Sequence, residues 1–156
     1  MSKAETSYAK TLRLMVLIIL GSAYLIVGIL SIINWCFGLF EADGRIHPDL
    51  LPGNLGFALV ALTVGASLIA STYYDVKGDQ ATHVAVATCG SWLAIGALAI
   101  QILVTAATAL DAIIMGEKLD HSIIGDCLLR LDVILGLIIL PVSALYTSML
   151  KKMVKK

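Results

Sequence analysis

Polar side chains follow one face of the third long apolar segment of this chain. Gln101, Thr105 and Thr108 fall within about 40° of one line if each residue advances by about 100°, as in an α-helix. Asp132 lies on the seam of small and polar residues of the fourth segment. An amide, two hydroxyls and a carboxylate could line a path for a small polar solute or an ion. The same groups could instead bond to neighbouring helices and fix their packing.

Charged residues are densest beside this seam, where the third apolar segment ends and the fourth begins. Asp111, Asp126, Arg130 and Asp132 lie there, and the spacing of Asp126 and Arg130 places them on one helical face. These positions fall near a membrane surface, where charges can be paired and hydrated. We expect an outer salt-bridge cluster of Asp111, Asp126 and Arg130, with an ion or proton site at Asp132 as the alternative.

Other chemistry finds little support in the residue pattern. His47 and His121 lie in connecting segments beside acidic residues, but their spacing matches no metal-ligand motif. Nucleotide-binding loops and nucleophile motifs are missing from the sequence as well. Cys36 and Cys127 could form a disulfide, although free cysteines behaving as small apolar residues are more frequent. We expect no catalytic residue, metal or cofactor, and bound lipid as the one ligand.

Four apolar segments position these side chains, and their lengths define the class of the protein. Residues 14–40, 50–74, 84–110 and 133–150 contain no Asp, Glu, Lys or Arg. A helix rises about 1.5 Å per residue, so roughly 20 residues cross a hydrocarbon core about 30 Å thick. The sequence predicts an all-α integral membrane protein with transmembrane helices near residues 12–39, 55–74, 84–114 and 127–150. We expect one antiparallel up-down bundle over residues 1–156, without a soluble domain.

Composition and charge agree with this class and give an orientation. The chain is 59% hydrophobic and has no net charge, which argues against nucleic-acid binding. Three basic residues lie in the N-terminal segment, one in the second connection and four at the C-terminus, against three in the other two connections. Because basic residues accumulate on the cytoplasmic side, both termini are predicted to be cytoplasmic.

Small residues occupy two opposite faces of the second apolar segment. One face carries Ala58, Ala61 and Gly65, and the other carries Thr63, Ala66, Ser67 and Ala70. Lipid gives helices no hydrophobic drive to associate, so close approach through small residues must hold them together. We expect the first face to pack within the chain and the second to contact another protein chain. The alternative is that alanine is simply tolerated in lipid.

These features favour a small non-catalytic accessory or structural subunit of a larger membrane complex. Respiratory, monooxygenase and ion-translocating complexes are examples of such assemblies. Expected partners are other membrane subunits or identical copies, together with lipid and without nucleic acid. A homo-oligomeric small transporter or channel, with a polar path along the third and fourth helices, is the alternative. An enzyme that acts on a lipid or a quinone is a third interpretation.

Overall fold

Four long α-helices form the described part of the chain. The computed structural model describes residues 3–40, 51, 53–115 and 130–155. The helices are α1 (Lys3–Leu39), α2 (Leu55–Val76), α3 (Gln80–Ile114) and α4 (Leu131–Val154), and these described residues contain no strand. Each helix has the length and apolar composition needed to cross a membrane. The all-helical part of the predicted fold is thereby confirmed.

Capping residues set the helix boundaries and explain their differences from the predicted ones. The Asn54 carboxamide oxygen accepts a hydrogen bond from the Gly56 amide at 2.8 Å and starts α2. Asp79 caps α3, which begins at Gln80 and not near residue 84. Hydrogen bonds from Thr82 to the Asp79 carboxylate hold the pKa of that carboxyl below its usual range. Arg130 has an extended backbone, so α4 begins after it and not at residue 127.

The first helix is longer than predicted. It begins at Lys3 and not near residue 12, so its first turns contain the charged and hydroxyl residues of the N-terminal segment. Lysine, glutamate and alanine are good helix formers, and their preference for helix does not depend on an apolar surrounding. The apolar run marked the stretch suited to lipid, whereas the helix itself continues beyond that stretch.

Backbone-to-backbone contact at glycines brings α1 and α2 together. A Cβ atom placed on Gly65 would lie 2.7 Å from the Gly21 carbonyl oxygen, and one on Gly28 would lie 3.1 Å from the Ala58 carbonyl oxygen. Residue number rises along α1 as it falls along α2, so the two helices are antiparallel. Ala58 and Ala61 are buried on the same side of α2. The face of Ala58, Ala61 and Gly65 therefore packs within the chain, as the sequence predicted.

The third helix packs between α2 and α4. A Cβ atom on Gly90 would lie 2.8 Å from the Ser67 Cβ of α2, and one on Gly136 of α4 would lie 2.9 Å from the Leu98 Cβ. Ala94 is buried between these two contacts. The face of α3 that carries Gln101, Thr105 and Thr108 is thus covered around residues 87–98. Most of the described α3 residues after 98 are exposed.

Two ends of the molecule can be distinguished. Lys10 of α1 forms an ion pair with Asp75 of α2, and the ring of His83 in α3 contacts that of Tyr146 in α4. The start of α1, the end of α2, the start of α3 and the last part of α4 therefore meet. We call this the proximal end, and we call the opposite end, where α1 ends and α2 begins, the distal end.

Candidate functional site

The described polar-path residues of α3 do not lie in the interior of the single chain, and a path that they would line between identical copies stays a prediction. Gln101 and Thr105 are half-buried, whereas Thr108 is exposed. The Thr105 hydroxyl donates to the Gln101 carbonyl at 2.9 Å, and the Thr108 hydroxyl donates to the Val104 carbonyl at 3.0 Å. Each hydroxyl is therefore satisfied by its own helix. Asp132 lies in the first turn of α4, and its side chain falls outside the described residues.

The predicted outer charge cluster is described in part. Asp111 is exposed near the end of α3, and Arg130 is half-buried immediately before α4. Asp126 lies outside the described residues, so the predicted pairing of Asp126 with Arg130 stays a prediction. The same holds for a Cys36–Cys127 disulfide and for the two loop histidines, because Cys127, His47 and His121 also lie outside them.

Gln101 and Arg130 do meet at a cleft near the distal end. The cleft has a volume of about 610 Å³ and lies between the start of α2, the middle of α3 and Arg130. Its polar lining includes Asn54, and its apolar lining includes Phe57 and Ile100. The lining of the cleft thus combines one guanidinium and two carboxamide groups with apolar side chains. Such a lining suits an amphipathic molecule better than a hydrated ion.

A second site, at the proximal end, joins all four helices around two buried polar residues, Asp75 of α2 and His83 of α3. The Lys10 ammonium lies 3.2 Å from the Asp75 carboxylate, and the Gln80 side-chain amide donates to the other oxygen of that carboxylate. Asp75 is 4% exposed, whereas Lys10 is 51% exposed. The carboxylate is therefore enclosed, and the ammonium still reaches solvent.

His83 extends this proximal site into the interior. Its Nδ1 lies 2.8 Å from the Ser71 carbonyl oxygen and 3.0 Å from the Ser71 hydroxyl oxygen. A carbonyl oxygen only accepts hydrogen bonds, so Nδ1 carries the proton in this arrangement. The imidazole packs edge to face on Tyr146, with ring centroids 5.4 Å apart. Lys10, Asp75, Gln80, His83 and Tyr146 are called the proximal cluster below.

A small cavity of about 70 Å³ lies within the proximal cluster. Its lining also includes Arg13 and Met149, and the Arg13 guanidinium donates to the Met149 sulfur at 3.5 Å. A cavity of this size can hold water molecules that bond to the surrounding polar groups. Chemically, the cluster can hold an ion pair and bound water near the proximal surface. In the described residues no group of three His, Cys, Asp or Glu side chains is placed to hold a metal ion.

No protein-family model, curated protein or solved structure matches this chain. Function must therefore be inferred from the residues and packing of the chain itself.

The helical spacing of buried residues is a sequence signal for part of the proximal cluster. Asp75 falls just outside the predicted helix over residues 55–74, yet it lies one and two turns beyond the buried residues Ser71 and Leu68. His83 similarly lies one turn before buried Ala87. Asn34 was also missed: it is 2% exposed in α1, and its side-chain amide donates to the Leu51 carbonyl at 3.3 Å. Extending each buried face past the last apolar residue would have found Asp75 and His83. Asn34 lies within the first apolar segment and follows buried Val27 and Ser31 at helical spacing.

The predicted partner-facing residues of α2 do not all face outward. Thr63 and Ala66 are exposed, and Ala70 is half-buried. The Thr63 hydroxyl donates to the Leu59 carbonyl at 2.8 Å, so this side chain needs no polar partner. Ser67 differs from the prediction because it lies against Gly90 of α3. Of the four predicted residues, Thr63, Ala66 and Ala70 therefore remain on the outward face of α2.

Proposed function

We propose that this chain is a small non-catalytic subunit of a larger membrane assembly. It inserts as an up-down bundle of four transmembrane helices with both termini in the cytoplasm. What carries the proposal is the sparse coverage of α3 beyond residue 98, where most of its described residues are exposed. In an 18-residue apolar stretch of α3, 11% of the residues are buried, against 33% or 39% in the other three helices. A second protein chain packed on α3 would complete its burial.

Small residues on the uncovered surface support a protein neighbour over lipid alone. Thr63 and Ala66 are exposed on α2, and Gly96 is exposed on α3, where an added Cβ would meet no atom within 4 Å. Small side chains gain little from contact with lipid, yet they let another helix approach closely. Trp92 and Leu103 are also exposed on α3, and bulky residues of this kind suit contact with lipid as well as contact with a protein.

The alternative, a homo-oligomeric transporter or channel, draws its support from the distal cleft, where Gln101 and Arg130 meet. The hydroxyls of Thr105 and Thr108 donate to their own helix, so they would offer a path only their acceptor lone pairs. Mild solubilisation of native membranes, followed by affinity purification and mass spectrometry, separates the two proposals. Fixed heterologous partners support the subunit, and a stable assembly of identical copies supports the transporter.

The proposed orientation is testable by cysteine labelling. In a variant without native cysteines, Lys3→Cys and Lys156→Cys should react with a membrane-impermeant maleimide only after the cells are permeabilised. The reason is that basic residues flank both termini, and such residues remain on the cytoplasmic side. Asp43→Cys, in the first connection, is the matched control and should react in intact cells. Labelling of either terminus from outside would reverse the orientation.

The proposed partner surface is testable at Ala66. Ala66→Phe should lower the recovery of co-purifying chains by about tenfold or more, because overpacking a helix contact costs roughly 1–3 kcal/mol. Thermal unfolding of the isolated chain should be unchanged, since Ala66 is exposed within it. Photocrosslinking from Ala66→Cys in native membranes should give protein adducts, whereas Ala61→Cys, at a buried position, should give none. Lipid adducts alone at position 66 would contradict a partner surface there.

A further inference from the structure

We propose that the groove between α1 and α4 binds one anionic phospholipid, with an acyl chain along the groove and the phosphate at Arg13. This inference rests on the membrane insertion proposed above, but not on the presence of a partner subunit. It is carried by the shape of the groove, by the position of Arg13 and by the charge of the proximal end.

The groove is an opening between two helices that do not pack closely. Of the neighbouring helices, α1 and α4 make the least contact. The space between them has a volume of about 210 Å³ and is bordered by Leu12, Val16 and Leu17 of α1 and by Pro141, Val142 and Leu145 of α4. Apart from Arg13 and Tyr146, the side chains that line this space are apolar, so hydrocarbon is the chemistry that most of the groove accepts.

Arg13 joins the apolar groove to the polar proximal end. It borders both the groove and the small cavity of the proximal cluster. Its Nη1 lies 3.5 Å from the Met149 sulfur, which holds the guanidinium between α1 and α4 at the mouth of the groove. A guanidinium recognises phosphate oxygens through two parallel N–H groups. A phospholipid places its phosphate and its acyl chains in the same relation.

The charge of the proximal end favours an anionic over a zwitterionic headgroup. The described part of the proximal end carries six basic side chains: Lys10, Arg13, Lys77, Lys151, Lys152 and Lys155. Two acidic side chains, Asp75 and Asp79, oppose them in the same described part of the chain. Basic clusters at the cytoplasmic end of transmembrane helices attract anionic lipid headgroups. The proposed orientation places this end at the cytoplasmic leaflet.

Native mass spectrometry tests the site with defined lipids. The chain is first recovered from the membrane fraction, which tests insertion separately. It is then mixed in detergent with equal amounts of phosphatidylglycerol and phosphatidylcholine. We expect one retained phosphatidylglycerol, preferred over phosphatidylcholine by about tenfold, because the excess of basic side chains at this end opposes the choline ammonium. Both lipids carry the phosphate that Arg13 would bind, so Arg13→Gln should lower the retention of each by about tenfold.

Matched variants separate the site from general attraction to charge. Lys77→Gln removes a basic residue of the same end that lies over the Tyr73 ring, and it should change retention less than twofold. Leu145→Trp fills the groove without changing charge and should lower phosphatidylglycerol retention. Arg13→Lys keeps the charge but not the paired N–H groups, so it should retain an intermediate amount and serves if Arg13→Gln fails to fold.

Two results would overturn the lipid site. One is equal retention of the two lipids by the native chain, and the other is unchanged retention of phosphatidylglycerol by Arg13→Gln. Failure of the subunit proposal looks different: the lipid preference persists, but no partner chain is recovered from native membranes.

Discussion

Replacing Gly65 with phenylalanine should destabilise the isolated chain by about 3 kcal/mol or more, at the upper end of measured overpacking costs. A Cβ atom at position 65 would already lie 2.7 Å from the Gly21 carbonyl oxygen and 2.9 Å from the Leu25 backbone nitrogen. Both atoms belong to the α1 backbone, so neither can turn aside as a side chain would. Accommodation requires α1 and α2 to separate, which exposes the contact that holds them together.

Thermal unfolding in detergent micelles, followed by circular dichroism, measures this effect. Ala66→Phe is the matched control because it adds the same side chain one position further, on the exposed face of α2. The control should leave the Tm of the isolated chain unchanged while weakening assembly, as proposed above. If both variants unfold at the same temperature, the assignment of Gly65 to the interior face is wrong.

Replacing Lys10 with methionine should cost about 2 kcal/mol, somewhat less than the 3–5 kcal/mol typical of breaking a fully buried ion pair. The substitution leaves the Asp75 carboxylate, 4% exposed, without the ammonium that lies 3.2 Å away. Gln80 still donates to that carboxylate, but an amide does not neutralise its charge. The cost is reduced because Lys10 is 51% exposed, so part of its attraction is screened by solvent.

A double-mutant cycle with Asp75→Asn isolates the pairing. The double variant should be more stable than Lys10→Met alone by about 1 kcal/mol, since no unpaired buried carboxylate remains. Lys77→Met, at an exposed lysine of the same end, should change stability by no more than about 0.5 kcal/mol. Additive effects of Lys10→Met and Asp75→Asn would show that the ion pair contributes nothing to stability.

The helices and several of their faces were predictable from sequence. At about 100° per residue, Trp92, Leu103 and Leu110 fall opposite Gln101 on α3, and each is more than half exposed. Structure adds that the Trp92 indole N–H donates to the Thr147 hydroxyl of α4 at 3.1 Å. Helical period therefore identifies the outward side of α3 correctly, but it does not show that Trp92 also forms a hydrogen bond to α4.

The candidate sites were less predictable, because they depend on residues distant in sequence. Lys10 and Asp75 belong to different helices, and so do Arg13 and Met149. These residues lie at the edges of the apolar segments. From sequence alone, a charged residue at such an edge is interpreted as part of a solvated loop. Ser67 shows the same difficulty, since the position of α3 determines that this residue faces Gly90 and not a partner.

By itself, the sequence determined that four helices are long and apolar enough to cross a membrane, and that α2 has an interior face at Ala58, Ala61 and Gly65. Both follow from segment length and helical period, which are local properties. Only the tertiary structure decided that Lys10, Asp75, His83 and Tyr146 meet, and that α1 and α4 leave a groove between them. Helical period fixes which residues share a face, whereas the arrangement of the helices decides what covers that face.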